Sequence, residues 1–139
     1  MGRPVPENEY REKAFTAPLT VTKQASGLWK VARTFRYYVK EIGGSDFVEV
    51  PAGFSTDFAS VPRGLWNLFP PDGPWTQAAV LHDALYSMQG DIPKGRARSR
   101  KECDDIFRES MQVLGVPLWK RYTIYYAVRS FGWIPWGSR

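Results

Sequence analysis

One histidine, His82, and one cysteine, Cys103, are all that the sequence holds of either residue. A lone cysteine excludes an intramolecular disulfide, so the fold does not depend on an oxidising compartment. Together the two residues make a poor ligand set for zinc. Neither a phosphate-cradling glycine loop nor a dinucleotide fingerprint appears. No apolar run approaches the length of a membrane span, and the N-terminus, Met-Gly-Arg-Pro-Val-Pro-Glu-Asn-Glu, lacks the apolar centre of a signal peptide. The expectation is synthesis in the cytoplasm of the producing cell, with any export by another route.

What is present describes an ordinary soluble domain. The 139 residues suffice for one core without staples, and 43% hydrophobic and 24% charged residues are globular proportions. Aromatic residues are plentiful at 15%, including six Trp. The net charge of +5 favours phosphate-rich surfaces only modestly and serves solubility equally well. Its one local concentration is Lys94-Gly-Arg-Ala-Arg-Ser-Arg-Lys101, for which a solvated loop competes with a membrane-facing patch. Nucleic acid is not an expected partner.

The pattern along the chain predicts an α+β protein, a single domain over 1–139, with a small N-terminal antiparallel β-sheet followed by three helices. Residues 1–15 read as an extended arm. Antiparallel strands are expected over 17–56: from Ala17 to Val50 the hydropathy alternates with period two, and Trp29, Val31, Arg33, Phe35, Tyr37 and Val39 predict one long strand. Gly43-Gly44-Ser45 makes a turn, Phe47–Val50 a partner strand, and Leu19–Thr22 a third. Residues 57–74 form a loop with a short helical turn near Pro62–Leu68. Three helices are expected over 75–131: Trp75 to about Met88, one opened by the capping box Ser99-Arg-Lys-Glu102, and Leu118 to about Phe131. An aromatic tail, 132–139, closes the chain. Short connections predict antiparallel packing of successive helices.

His82 lies in Val80-Leu-His-Asp-Ala-Leu-Tyr86. On a helix His82 and Tyr86 share a face and Asp83 is turned about 100° away. If the next helix packs antiparallel, Asp104 or Asp105 meets His82 across the interface. A carboxylate holding the tautomer of an imidazole, whose other nitrogen deprotonates water, is the general-base arrangement of hydrolases without a serine nucleophile. Asp83 and Asp57, with loop carbonyls, are hard oxygen ligands of the kind calcium requires. Each residue also has a structural reading: Asp57 as a turn cap, Asp104 and Asp105 as partners of the helix dipole, Tyr86 as core. A Cys103–His82 nucleophilic pair is a further alternative, although Cys103 sits in a helical pattern where packing is the simpler role.

Two resemblances follow from these motifs. The runs Val50-Pro-Ala-Gly-Phe-Ser-Thr-Asp-Phe-Ala-Ser-Val-Pro62, Ala78-Ala-Val-Leu-His-Asp-Ala-Leu-Tyr86 and Ser99-Arg-Lys-Glu-Cys-Asp104 resemble a phage and prophage family known as domain of unknown function thirteen fifty-three, from about Phe47 to Trp136. That resemblance implies a viral setting and no settled activity. The segments Thr56–Ser60, His82–Tyr86 and Asp104–Phe107 with Met111 are similar in order to the motifs of small secreted bacterial and fungal phospholipases of the A-two class. This second resemblance implies His82 as base, Asp104 as its orienter, Tyr86 as a supporting hydroxyl, and Asp57, Asp83 and the Phe58 carbonyl as calcium ligands. That family pairs cysteines around these motifs, whereas Ala59 and Ala79 stand here.

The function expected is a phage-encoded, calcium-dependent, phospholipase-like hydrolase of an ester or amide bond in the host envelope. Trp66, Leu68, Phe69, Trp133 and Trp136 would form an apolar rim, and basic residues near Arg96 to Lys101 would meet anionic headgroups. The competing expectation is a non-catalytic virion component of the tail, neck or capsid, in which the helix pair survives for packing. Both place the chain in the host cytoplasm at synthesis, and the second carries it into the virion.

Overall fold

The computed structural model describes residues 14–40, 43–58, 60–62, 64–65, 75–93, 95 and 97–137. Among them the chain is α+β: strands β1 (Val21–Lys23), β2 (Trp29–Val31), β3 (Phe35–Tyr38), β4 (Phe47–Val50) and β5 (Ser55–Thr56) precede helices α1 (Trp75–Ser87), α2 (Arg100–Val113), α3 (Leu118–Phe131) and the short α4 (Trp133–Gly137).

The strand expected from Trp29 to Val39 is interrupted. β2 pairs antiparallel with β1 on one side and with β5 on the other, whereas β3 pairs with β4 in a separate two-stranded sheet. The break falls at Ala32–Thr34, where the chain passes from one set of partners to the other. There the Thr34 hydroxyl accepts the Ala52 N–H at 2.8 Å, replacing a ladder bond. The alternation still holds across the break, since Val31, Phe35, Tyr37 and Val39 are buried; Arg33, at the break, is exposed. The end of the expected arm also differs, because Ala14 and Phe15 belong to the core. Phe15 bridges to Tyr37, with ring centroids 4.7 Å apart. The rest of that arm lies outside the described residues, as do most of the expected helical turn, with Trp66, Leu68 and Phe69, and the basic-loop residues Lys94 and Arg96. Gly64 and Leu65 make a short turn in which the Leu65 N–H reaches the Pro62 carbonyl.

α1 is the central element. Eleven of its thirteen residues are buried, so it has no polar face to give to solvent. It packs on β4 and β5 on one side and on α2 and α4 on others. Small residues at Ala78, Ala79 and Ala84 allow this close approach on several faces. Gly90, with φ of 83°, ends the helical region, and a side chain there would run into the backbone of Arg98. α2 opens on the predicted capping box: the Ser99 hydroxyl accepts the Glu102 N–H at 3.1 Å, and the Glu102 carboxylate accepts the Ser99 N–H at 3.0 Å.

Contacts fix the helix directions. Tyr86 meets Arg100 while His82 meets Asp104 and Phe107, so α1 and α2 run antiparallel. Arg100 meets Val128 while Arg108 meets Tyr122, so α2 and α3 do too. Two of the described cations of the basic run, Arg98 and Arg100, make internal contacts. Arg98 is buried, donating to the Asp46 carboxylate and to the Phe47 and Ile92 carbonyls. Lys101 pairs with Asp105 along α2.

The capping box is local enough to test alone. Ser99→Ala is expected to cost about 1 kcal/mol. The check is a urea titration in which the midpoint falls while the slope stays unchanged.

Candidate functional site

Asp104 projects from the second turn of α2 into the space between α1 and α3. Its side chain has no solvent exposure. Oδ1 accepts the Tyr86 hydroxyl at 2.6 Å and lies 2.7 Å from His82 Nε2. Oδ2 accepts Arg129 at 2.8 Å from α3, with Arg100 at 3.5 Å. Burial alone would raise the Asp104 pKa. The His82 hydrogen bond and electrostatic attraction, followed by the bonds from Tyr86 and Arg129, outweigh it and hold the carboxyl below its ordinary value. An ionised carboxylate only accepts hydrogen bonds, so the ring proton between the two residues sits on Nε2.

In the neutral imidazole this leaves Nδ1 as an acceptor. The group in front of it, 2.9 Å away, is the Ser60 hydroxyl. Ser60, His82 and Asp104 therefore form a continuous line of hydroxyl, imidazole and carboxylate. The ring is clamped between Phe107, stacked at 4.3 Å, and Tyr86 at 4.2 Å. Ser60 was not among the residues the sequence singles out. Two residues earlier in the structure Phe58, a non-glycine residue, has φ of 60°.

Asp83 faces the other way, as its offset from His82 predicts. Its side chain, also wholly buried, accepts the Thr56 hydroxyl at 2.6 Å and the Ser60 N–H at 3.2 Å. Thr56 Oγ1 in turn accepts the Phe58 N–H at 3.0 Å. This carboxylate thus fastens β5 and the loop after it onto α1 and sets where Ser60 stands.

Of the residues expected to hold calcium, Asp83 is buried, Asp57 is exposed, and the Phe58 carbonyl accepts the Val61 N–H at 3.1 Å. Both Asp83 oxygens accept protein hydrogen bonds, Asp57 is exposed at the surface, and the described residues include no group of three or more His, Cys, Asp or Glu able to hold a metal ion. An ion of that kind takes six to eight oxygens.

The remaining sequence candidates fall into place around the line. Asp105 faces away from His82, accepting Tyr125 at 2.6 Å and Lys101 at 2.9 Å. Cys103 is buried, and burial, then the Asp104 charge, push its thiol up to about 12, so it is no thiolate nucleophile at neutral pH. Burial, then the bond to Asp104, pushes the Tyr86 phenol up as well, which fixes it as a donor. Arg100 and Arg129 were not anticipated. Besides touching the site, Arg100 donates to the Val128 and Arg129 carbonyls and so closes the last turn of α3. Gly132 lies so close that a Cβ there would collide with the Tyr86 hydroxyl and the Arg100 guanidinium. Trp136 packs edge-on against Tyr86 at 5.1 Å, while Trp133 is exposed.

A family model described as "Protein of unknown function (DUF1353)" matches residues 29–128. A relative from Sinorhizobium fredii (strain NBRC 101917 / NGR234), called "Uncharacterized protein y4jT", is 31% identical over 85 residues. That match takes in 60% of this chain and 23% of the relative, so the chain spans about a quarter of the relative's length. No solved structure matches.

Two stability outcomes follow from Asp104. Asp104→Asn removes the charge facing Arg129 and is expected to cost about 3 kcal/mol. Because its folded pKa lies below the ordinary 3.8, the stability it supplies is complete above that value and is lost as pH falls through the folded value. Arg129→Ala should therefore move the acid unfolding midpoint to higher pH, read by circular dichroism. Gly132→Ala is expected to cost about 1–3 kcal/mol through overpacking against Tyr86 and Arg100, measured by chemical denaturation.

Proposed function

The chain belongs to the DUF1353 family, and from that premise we propose that it is a hydrolase of an ester or amide bond, with His82 as its base. The observation that carries the reading is the unbroken line from the Ser60 hydroxyl through His82 to Asp104. A hydroxyl facing the lone pair of an imidazole, whose far nitrogen is held by a carboxylate, is the arrangement that activates a serine.

In the proposed reaction Ser60 Oγ bonds to the substrate carbonyl carbon while its proton passes to His82 Nδ1, and the carbonyl electron pair moves onto oxygen. On collapse the bond to the leaving group breaks, and that group takes the proton from Nδ1. Water then attacks the acyl-serine by the same exchange, releasing the acid and restoring Ser60. Asp104 accepts the Nε2–H hydrogen bond and stabilises the imidazolium throughout; Tyr86 and Arg129 hold Asp104 in place. Ser60 and His82 are 1% and 0% exposed, so substrate entry requires the residues covering the pair to move while Ser60 keeps its bond to Asp83 and its place in front of His82 Nδ1. No step is routed through calcium. The setting that fits the phage resemblance is a virus-encoded enzyme acting on a lipid or cell-wall bond of the host envelope.

The same burial favours a second reading, a non-catalytic virion component of tail, neck or capsid in which this polar line holds the loop to the helices. An active-site-directed fluorophosphonate separates the two. Under the catalytic reading the protein gains one adduct on Ser60, which Ser60→Ala abolishes, and turnover of a phospholipid or p-nitrophenyl ester falls about 10³-fold or more in His82→Gln, with or without calcium chelation. A folded wild-type protein that is neither labelled nor active on lipid, ester or cell-wall substrates, while Ser60→Ala loses only stability, decides for the structural reading.

A further inference from the structure

Six of the seven exposed large hydrophobic residues among those described lie between Leu118 and Ile134. On α3 the buried face is Ile124, Tyr125 and Val128. The opposite face carries Trp119, Thr123, Tyr126 and Ser130, all exposed, at spacings of four, three and four. Trp133 and Ile134 continue it onto α4. Trp119, Tyr126 and Trp133 are 60%, 62% and 62% exposed, so the stripe is uncovered along its whole length. A row of this composition exceeds the scattered apolar residues of an ordinary surface.

No Asp or Glu follows Glu109 in the sequence; on α3, Arg121 is held by the Val116 carbonyl and Arg129 by Asp104, and Lys120 stands beside the row. The Lys120 ammonium lies 5.5 Å over the Trp119 ring. Tryptophan and tyrosine with a flanking cation, on a helix whose inner face is already packed, suit the boundary between headgroups and acyl chains of an anionic bilayer. A second copy of the chain would bring like charges together. A single-stranded nucleic acid would use the cation and rings but leave Leu118 and Ile134 without apolar partners.

We propose that the outward face of α3 and α4 docks on an anionic lipid surface, with Trp119, Tyr126, Trp133 and Ile134 entering the interface and Lys120 meeting headgroups. The proposal names the surface on which the hydrolase reading would find a lipid substrate and rests on that reading only for its purpose, since different residues carry it. α4 also joins the two regions, because Trp136 in the same short helix packs on Tyr86.

The test is co-sedimentation of the full chain with phosphatidylcholine vesicles, either pure or holding about a quarter phosphatidylglycerol, together with the shift in tryptophan emission. Binding to the anionic vesicles with a blue shift, weakened by salt, and reduced about tenfold by Trp119→Ser with Trp133→Ser, supports the proposal. Lys120→Glu should weaken binding in the same direction. Circular dichroism of these surface variants checks that they remain folded. Failure of the wild type to bind, or unchanged binding by the double variant, overturns the proposal. So does a concentration-dependent dimer, or an oligonucleotide complex, that the same double variant removes in place of vesicle binding. Ser60→Ala separates the two readings: it should abolish fluorophosphonate labelling and leave vesicle binding intact.

Discussion

A carboxylate with no access to water must be compensated on both oxygens, and Asp104 is compensated from three helices at once. His82 and Tyr86 come from α1, Arg129 from α3 and Arg100 from its own helix. Burying an ion costs several kcal/mol even after relaxation, and only near-complete hydrogen bonding offsets that cost. The helices therefore cannot slide along one another without uncovering a charge. The position of Asp104 sets the register of α1 against α2, and Arg129 and Arg100 extend it to α3. Packing follows the same geometry, with Phe107 against the imidazole, and Gly132 leaves room where a methyl group would displace Tyr86.

The adjacent pair His82 and Asp83 divides its work because consecutive helical residues point in different directions. His82 looks toward α2; Asp83 looks toward β5 and the loop that follows it. One dipeptide thus joins the helical layer to the sheet layer, and Ser60 touches both carboxylate systems: its N–H bonds Asp83 and its hydroxyl faces His82. This double attachment aims the serine at the base, and it also seals the base from solvent. Any chemistry at His82 consequently needs its cover to move while Ser60 stays fastened to Asp83.

Charge is distributed by the same economy. The basic stretch before α2 has the composition of a surface patch, yet Arg98 and Arg100 are consumed by internal carboxylates and carbonyls. The exposed aromatic character lies on α3, whose inner face is occupied by Ile124, Tyr125 and Val128 and whose outer face carries Trp119 and Tyr126.

Local rules made much of this legible from sequence. The Ser99–Glu102 capping box, the stop at Gly90, the alternation from Val31 to Val39 and the His82–Tyr86 spacing each involve residues a few positions apart, so propensity and periodicity report them directly. The division of the strands into two sheets was not legible, because the choice of partners at Ala32–Thr34 depends on β1, β4 and β5 rather than on the segment itself. Ser60 and Arg129 were hidden for the same reason, lying 22 and 25 residues from the side chains they meet. Asp57 and Asp83 looked equivalent as carboxylates, and only burial separated an exposed loop residue from a buried fastener. The sequence by itself determined which helices carry His82, Asp83, Tyr86 and Asp104 and which helix faces they occupy. Tertiary packing decided which of them meet, because hydrogen-bond partners of a buried charge are chosen by proximity in space, which no local pattern encodes.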